Sequence, residues 1–178
     1  AFTRARLNEK QLRPSPPASR TTLIRRLYLV MLGLPPTPRE VDRFVNDERP
    51  RSWQRLVDHV LASPRYGERW AQHWFDIVRY AESHGFEGNP LRNHAWHYRD
   101  FVIDSFNSDK PYDRFISEQL AGDAMGADLG TAYLVAGAWD IVKSPDLVLT
   151  LTQRQDELAD IISTTGTAFL GLTLGCAR

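Results

Sequence analysis

Residues 64–83 read PRYGERWAQHWFDIVRYAES, and the spacing inside this stretch decides the fold class. Tyr66, Trp70, Trp74, Ile77, Val78 and Ala81 recur on one side of a repeat of about 3.6 residues, while Glu68, Gln72, Asp76 and Arg79 take the other. A half-buried strand would alternate at every second residue, and this stretch does not. Ser63-Pro64 opens it with a cap residue and a proline at the first helical position, where the missing N–H has no partner to lose. The spacing predicts a long helix from Pro64 to about Ser83 at the centre of the core.

Working outward, Trp53, Leu56, Val57, Val60 and Leu61 follow Ser52 at helical spacing. Thr37-Pro38-Arg39-Glu40 has the form of a capping box ahead of Val41, Phe44 and Val45. Leu23, Leu27, Val30 and Met31 form a further stripe behind Thr21-Thr22, ended by Gly33-Leu34-Pro35-Pro36. Downstream, Gly85, Gly88 and Pro90 mark a loop near 83–93. Helices return on Ala95, Tyr98, Val102 and Phe106, and on Tyr112, Phe115, Ile116 and Leu120, the latter with Gly122 as terminator. Residues 125–152 are expected to be irregular, and Leu158, Ile161, Ile162, Thr165 and Phe169 form a last helix. No segment alternates like a sheet. The reading is all-α, an irregular bundle of about seven helices in a single domain over 1–178. Residues 1–19 read as a partial helix and a Pro-rich connection, so both ends are expected to be cuts in a longer chain.

The 178 residues are 42% hydrophobic and carry 22 Lys and Arg against 22 Asp and Glu. The chain is thus globular, and no net field draws it to nucleic acid. Basic residues concentrate in the first 70 positions, where the simplest expectation is neutralisation by acidic partners within the fold. No apolar run reaches the roughly 18 residues of a membrane span. One cysteine excludes an internal disulfide.

Four of the five histidines lie between residues 73 and 97. His73, at the edge of the central stripe, is a bonded imidazole or a metal or haem ligand. His84, His94 and His97, with Glu82 and Glu87, are candidate metal ligands lacking any recognised spacing. Glu82, Glu87, Asp100 and Asp123 are candidates for an acid and base pair, or simply caps and ion pairs. There is no G-x-S-x-G, Walker loop or G-x-G-x-x-G. Cys176, in Gly175-Cys176-Ala177-Arg178, has the form of the first three residues of C-x-x-C-H, the haem c attachment motif.

Residues 22–27 (TLIRRL), 33–38 (GLPPTP), 61–70 (LASPRYGERW), 98–100 (YRD), 111–113 (PYD), 118–123 (EQLAGD) and 164–173 (TTGTAFLGLT) together resemble the planctomycete cytochrome-like domain, a family of unknown function found in large exported multidomain proteins. The resemblance implies that Cys176 is the first thioether cysteine of a haem c site, with the second cysteine and the proximal His outside this chain, so that the chain alone is expected to hold no haem. It implies electron transfer, export to the periplasm or cell surface, and partnership with neighbouring domains of the same polypeptide and a redox protein. His73 and Met125 are candidate distal ligands. His84 and His97 stand where the family pattern has Asp and Arg, so the His84, His94 and His97 set is not a family feature. Two other readings remain open: a non-catalytic helical scaffold, and a polysaccharide-active domain using the carboxylates near the 83–93 loop.

Overall fold

A computed structural model describes residues 2–141 and 144–175. Among these the chain is all-α: α1 (Phe2–Glu9), α2 (Arg20–Met31), α3 (Pro38–Val45), α4 (Ser52–Leu61), α5 (Pro64–Val78), α6 (Trp96–Asn107), α7 (Tyr112–Met125), α8 (Asp128–Thr131) and α9 (Leu147–Thr165). A 3₁₀ turn (Ala132–Val135) follows α8, and a π turn (Gly166–Leu170) ends α9. The described residues hold no strand, only an isolated bridge between Ser83 and Leu91. Two compact units are present, Ala1–Val60 and Leu61–Arg178.

In the first unit, α2, α3 and α4 enclose Ile24, Tyr28, Phe44 and Val60. Helix α1 buries none of its residues. Helix α2 starts earlier than Thr21-Thr22 suggests, because Ser19 is the cap and accepts from the Thr22 N–H. The capping box at Thr37 forms as its sequence requires, with both reciprocal bonds to Glu40. Arg20 ties the unit together: its guanidinium donates to the carbonyls of Phe44 and Asp47 and to Ser52 Oγ, and lies 4.2 Å from the Phe44 ring centroid.

In the second unit, Ala71, Trp74 and Val78 of α5 meet Tyr98 and Val102 of α6, Phe115 of α7 and Tyr133. The central helix is where its spacing predicts, but its buried face is rotated from Tyr66, Trp70 and Ile77 toward Gly67, Ala71, Trp74 and Val78. Gly67 explains this. A Cβ there would lie 2.5 Å from the Ile103 carbonyl oxygen, so α5 presses against α6 along its small residues, and the Gly67 N–H donates to Asn107 Oδ1 at 2.8 Å. The helix stops at Val78, before the expected Ser83, because Arg79 turns left-handed (φ 55°) and its guanidinium pairs with Asp160 of α9.

Polar atoms inside this aromatic core are paired. Trp74 Nε1 donates to Tyr98 Oη (3.0 Å) and Gln119 Oε1 (3.2 Å), and Tyr98 donates to the same oxygen at 2.6 Å. Gln119 Nε2 donates to the Phe115 carbonyl. Burial pushes the Tyr98 hydroxyl well above its ordinary pKa, so it remains a donor.

Two helix ends differ from expectation. Helix α7 runs through Gly122, kinks at Ala121 (φ −145°, ψ 34°) and ends at Gly126 (φ 69°). Gly122 serves close approach: a Cβ would meet the Ala127 carbonyl oxygen at 2.3 Å. Helix α9 begins at Leu147, inside the stretch expected to be irregular, because Asp146 accepts from the Val148 and Leu149 N–H groups.

Candidate functional site

Beyond α5 the chain forms a loop closed by paired backbone bonds, His84 N–H to the Pro90 carbonyl at 3.0 Å and Arg92 N–H to the Glu82 carbonyl at 2.8 Å. Asn89 Oδ1 accepts from the Gly85 N–H across its tip. Arg92 is the clamp. Its terminal nitrogens donate to the carbonyls of Ala136 and Gly137, and its Nε donates to His84 Nδ1 at 3.2 Å. Burial lowers the guanidinium pKa from its usual value. An arginine only donates, so Nδ1 of His84 must present its lone pair and the ring proton sits on Nε2. The Trp139 ring lies 5.5 Å from the imidazole, and the Trp139 N–H donates to the His84 carbonyl at 2.9 Å.

Beside this clamp is a cleft of about 210 Å³, floored by Val78, Ala81, Tyr133 and Ile161, with Ser83, His84 and the Arg79–Asp160 pair around it. The cleft combines apolar surface from Val78, Ala81, Tyr133 and Ile161 with an imidazole and an ion pair.

The other histidines lie elsewhere. His94 and His97 stack at 6.2 Å between centroids, and His97 rests on Trp96 at 3.6 Å. Among the described residues no group of three or more His, Cys, Asp or Glu is placed to hold a metal ion. His73 is exposed on α5, with the Trp70 ring 5.5 Å away, and Met125 is exposed at the end of α7. Neither lines the cleft.

Two of the carboxylates near the loop, Glu82 and Asp100, are bound internally. Arg99 pairs with both Glu82 (2.7 Å) and Asp100 (3.1 Å). Tyr80 donates to Glu82, and burial, reinforced by that carboxylate's charge, pushes the Tyr80 pKa up to about 12. Glu87 is exposed on the loop, and Asp123 lies within α7 rather than after its end.

Cys176 lies outside the described residues. The chain leading to it does not. After the π turn, Gly171 (φ 64°) reverses the backbone, and the Leu172 N–H donates to the Gly166 carbonyl at 3.0 Å. Leu174 then lies over Gly166, where a Cβ would meet Leu174 Cδ1 at 2.4 Å, and a Cβ on Gly175 would lie 3.2 Å from Ser163 Oγ. Phe169 anchors this hook in the core against Trp74 (5.5 Å) and Tyr133 (5.6 Å).

Pattern alone does not single out Arg92. The signal available was an arginine within Asn89-Pro90-Leu91-Arg92-Asn93 with no acidic neighbour in that run.

A family model described as PSCyt2, a protein of unknown function (DUF1549), matches residues 1–178. No curated protein and no solved structure matches.

Proposed function

We propose, from the premise that the chain belongs to the PSCyt2 family of proteins of unknown function, that it is a helical domain bordering a covalent haem c site in an exported electron-transfer protein. The observation that carries this reading is Gly175-Cys176-Ala177-Arg178, which has the form of the first residues of C-x-x-C-H, directly beyond a chain segment held against the end of α9. Haem c, when bound, supplies one-electron transfer. In this reading three residues hold the segment that leads to Cys176: Phe169 fixes the turn, Gly171 reverses it and Leu174 seats it on Gly166. Leu170 and Leu172 are exposed on the same segment, an apolar surface suited to lie against a porphyrin. The donor chemistry fits a bordering role, one sulfur from this chain with the second cysteine and the proximal His supplied by other residues. His73 and Met125 are exposed side chains open to a group held from outside. Export, a redox partner and neighbouring domains of the same polypeptide belong to this reading.

The test is the longer parent protein matured in a host that attaches haem c. A Soret band and a haem-stained band that survives denaturation are expected, and Cys176→Ala is expected to abolish the stain. Wild-type protein that emerges without haem removes the proposal.

A second reading, a scaffold that meets another domain, is favoured by α9. Leu147, Val148, Leu151 and Ile162 are each more than half exposed and fall on one side of the helix. Haem-free parent protein whose domain association is lost on Leu151→Glu with Ile162→Glu would select it.

A further inference from the structure

In the N-terminal unit, α2, α3 and α4 surround a second cleft of about 180 Å³. Two carboxylates line it, and both are engaged within the protein. Glu40 accepts from the Thr37 N–H (2.7 Å), the Thr37 hydroxyl (2.6 Å) and the Tyr28 hydroxyl (3.1 Å). Burial works to raise its pKa, but these bonds and the nearby His59 outweigh it and hold the carboxyl below its ordinary value. Asp47 accepts two bonds from the Arg49 guanidinium (2.8 and 2.9 Å), one from the Arg49 N–H (3.1 Å) and two from the Arg55 guanidinium (3.2 and 3.3 Å). The Arg49 guanidinium holds the Asp47 carboxyl well below the usual carboxylate range.

What the cleft leaves open is donors. Arg43 and His59 line it and make no hydrogen bond or ion pair among the described residues. Arg55 Nε, in the same wall, is buried and has no acceptor. The terminal nitrogens of Arg55 are taken by Asp47 and by the carbonyls of Pro50 and Arg49, so the donors left for a ligand are Arg43 and His59. The surroundings favour an anion: residues 1–60 carry 12 Lys and Arg against 6 Asp and Glu. Phe44 and Leu56, which also line the cleft, offer apolar surface to a carbon skeleton.

We propose that this cleft binds a small organic carboxylate, with Arg43 and His59 donating to the carboxylate oxygens and Phe44 and Leu56 contacting its carbon chain. Succinate is the probe, titrated into the whole chain by NMR. Succinamide serves as the uncharged isostere and inorganic phosphate as the bare oxyanion. Saturable shifts of the His59 ring and the α3 and α4 amides are expected with succinate and not with succinamide, with phosphate weaker than succinate. Arg43→Gln changes an exposed side chain, so helix content by circular dichroism is expected to hold while succinate affinity falls at least tenfold; His59→Gln is expected to weaken it in the same direction. Absence of saturation, an equal response to succinamide, or undiminished affinity in Arg43→Gln overturns the site. Phosphate binding as tightly as succinate overturns the ligand class.

Discussion

The two compact units solve the same problem, satisfying polar groups beside an apolar core, by different means. In Ala1–Val60 the buried cluster of Ile24, Tyr28, Phe44 and Val60 keeps its polar partners at the edge: Arg20 reaches carbonyls at the end of α3, and Thr37 and Glu40 cap each other. In Leu61–Arg178 the polar atoms go inside, where Trp74, Tyr98 and Gln119 bond one another among stacked rings. A side chain at an edge can fall back on water when its partner is lost, whereas one sealed in a core cannot. The second unit is therefore expected to be the less tolerant of substitution, and the first to leave donors free for a ligand.

The largest expected break is Trp74→Ala, which removes the ring packed on Phe115 at 4.9 Å and on Phe169 at 5.5 Å. A loss of about 4 kcal/mol in the stability of the second unit is expected from denaturant unfolding. Next is Gln119→Leu, close to isosteric, which strips the acceptor from both Tyr98 and Trp74; about 2 kcal/mol is expected to be lost. An unchanged midpoint would show that the internal network is dispensable and erase the contrast. Thr37→Ala, at the edge of the first unit, is expected to cost about 1 kcal/mol by thermal melting, the ordinary worth of a cap.

The effect at Glu118 is read through pH, and its sign follows from its neighbours. Burial works to raise its pKa, but Lys110 and Arg114 outweigh burial and hold it below the ordinary value of 4.5. A carboxylate with a depressed folded pKa contributes stability above its unfolded value, and that contribution fades as pH falls through and below 4.5. The stability gap between wild type and Glu118→Gln is expected to narrow on acidification through that range. A gap that widens would mean burial wins.

Much of the helical framework was legible because its signals are local. The Thr37 box, the spacing through α4 and α5 and the stop after Met31 each need only a few neighbouring residues to act. What was not legible depends on distant backbone. Nothing near Gly67 or Gly122 in the sequence reveals that another backbone segment will pass within reach of the missing Cβ, so the aromatic residues of α5 suggested the wrong rotation and Gly122 suggested a helix end. Arg79 carries no turn signal, since what accompanies its left-handed conformation is Asp160, far along the chain. At the candidate site, His84 was visible as a histidine in a loop. Its tautomer was not, because that is set by Arg92, whose own position depends on carbonyls at 136 and 137.

The hook beyond α9 has a consequence for motion. Leu174 sits on Gly166 and the Leu172 N–H holds the Gly166 carbonyl, so the closing turn of the longest helix and the segment before Cys176 are fastened like the two halves of a buckle. Opening either half opens the other, so the segment through Gly175 loosens only as often as that helix end frays. Gly166→Ala places its methyl against a side chain that can swing aside. It is therefore expected to leave global stability nearly unchanged while speeding hydrogen exchange through residues 163–172 and protease cutting just beyond them.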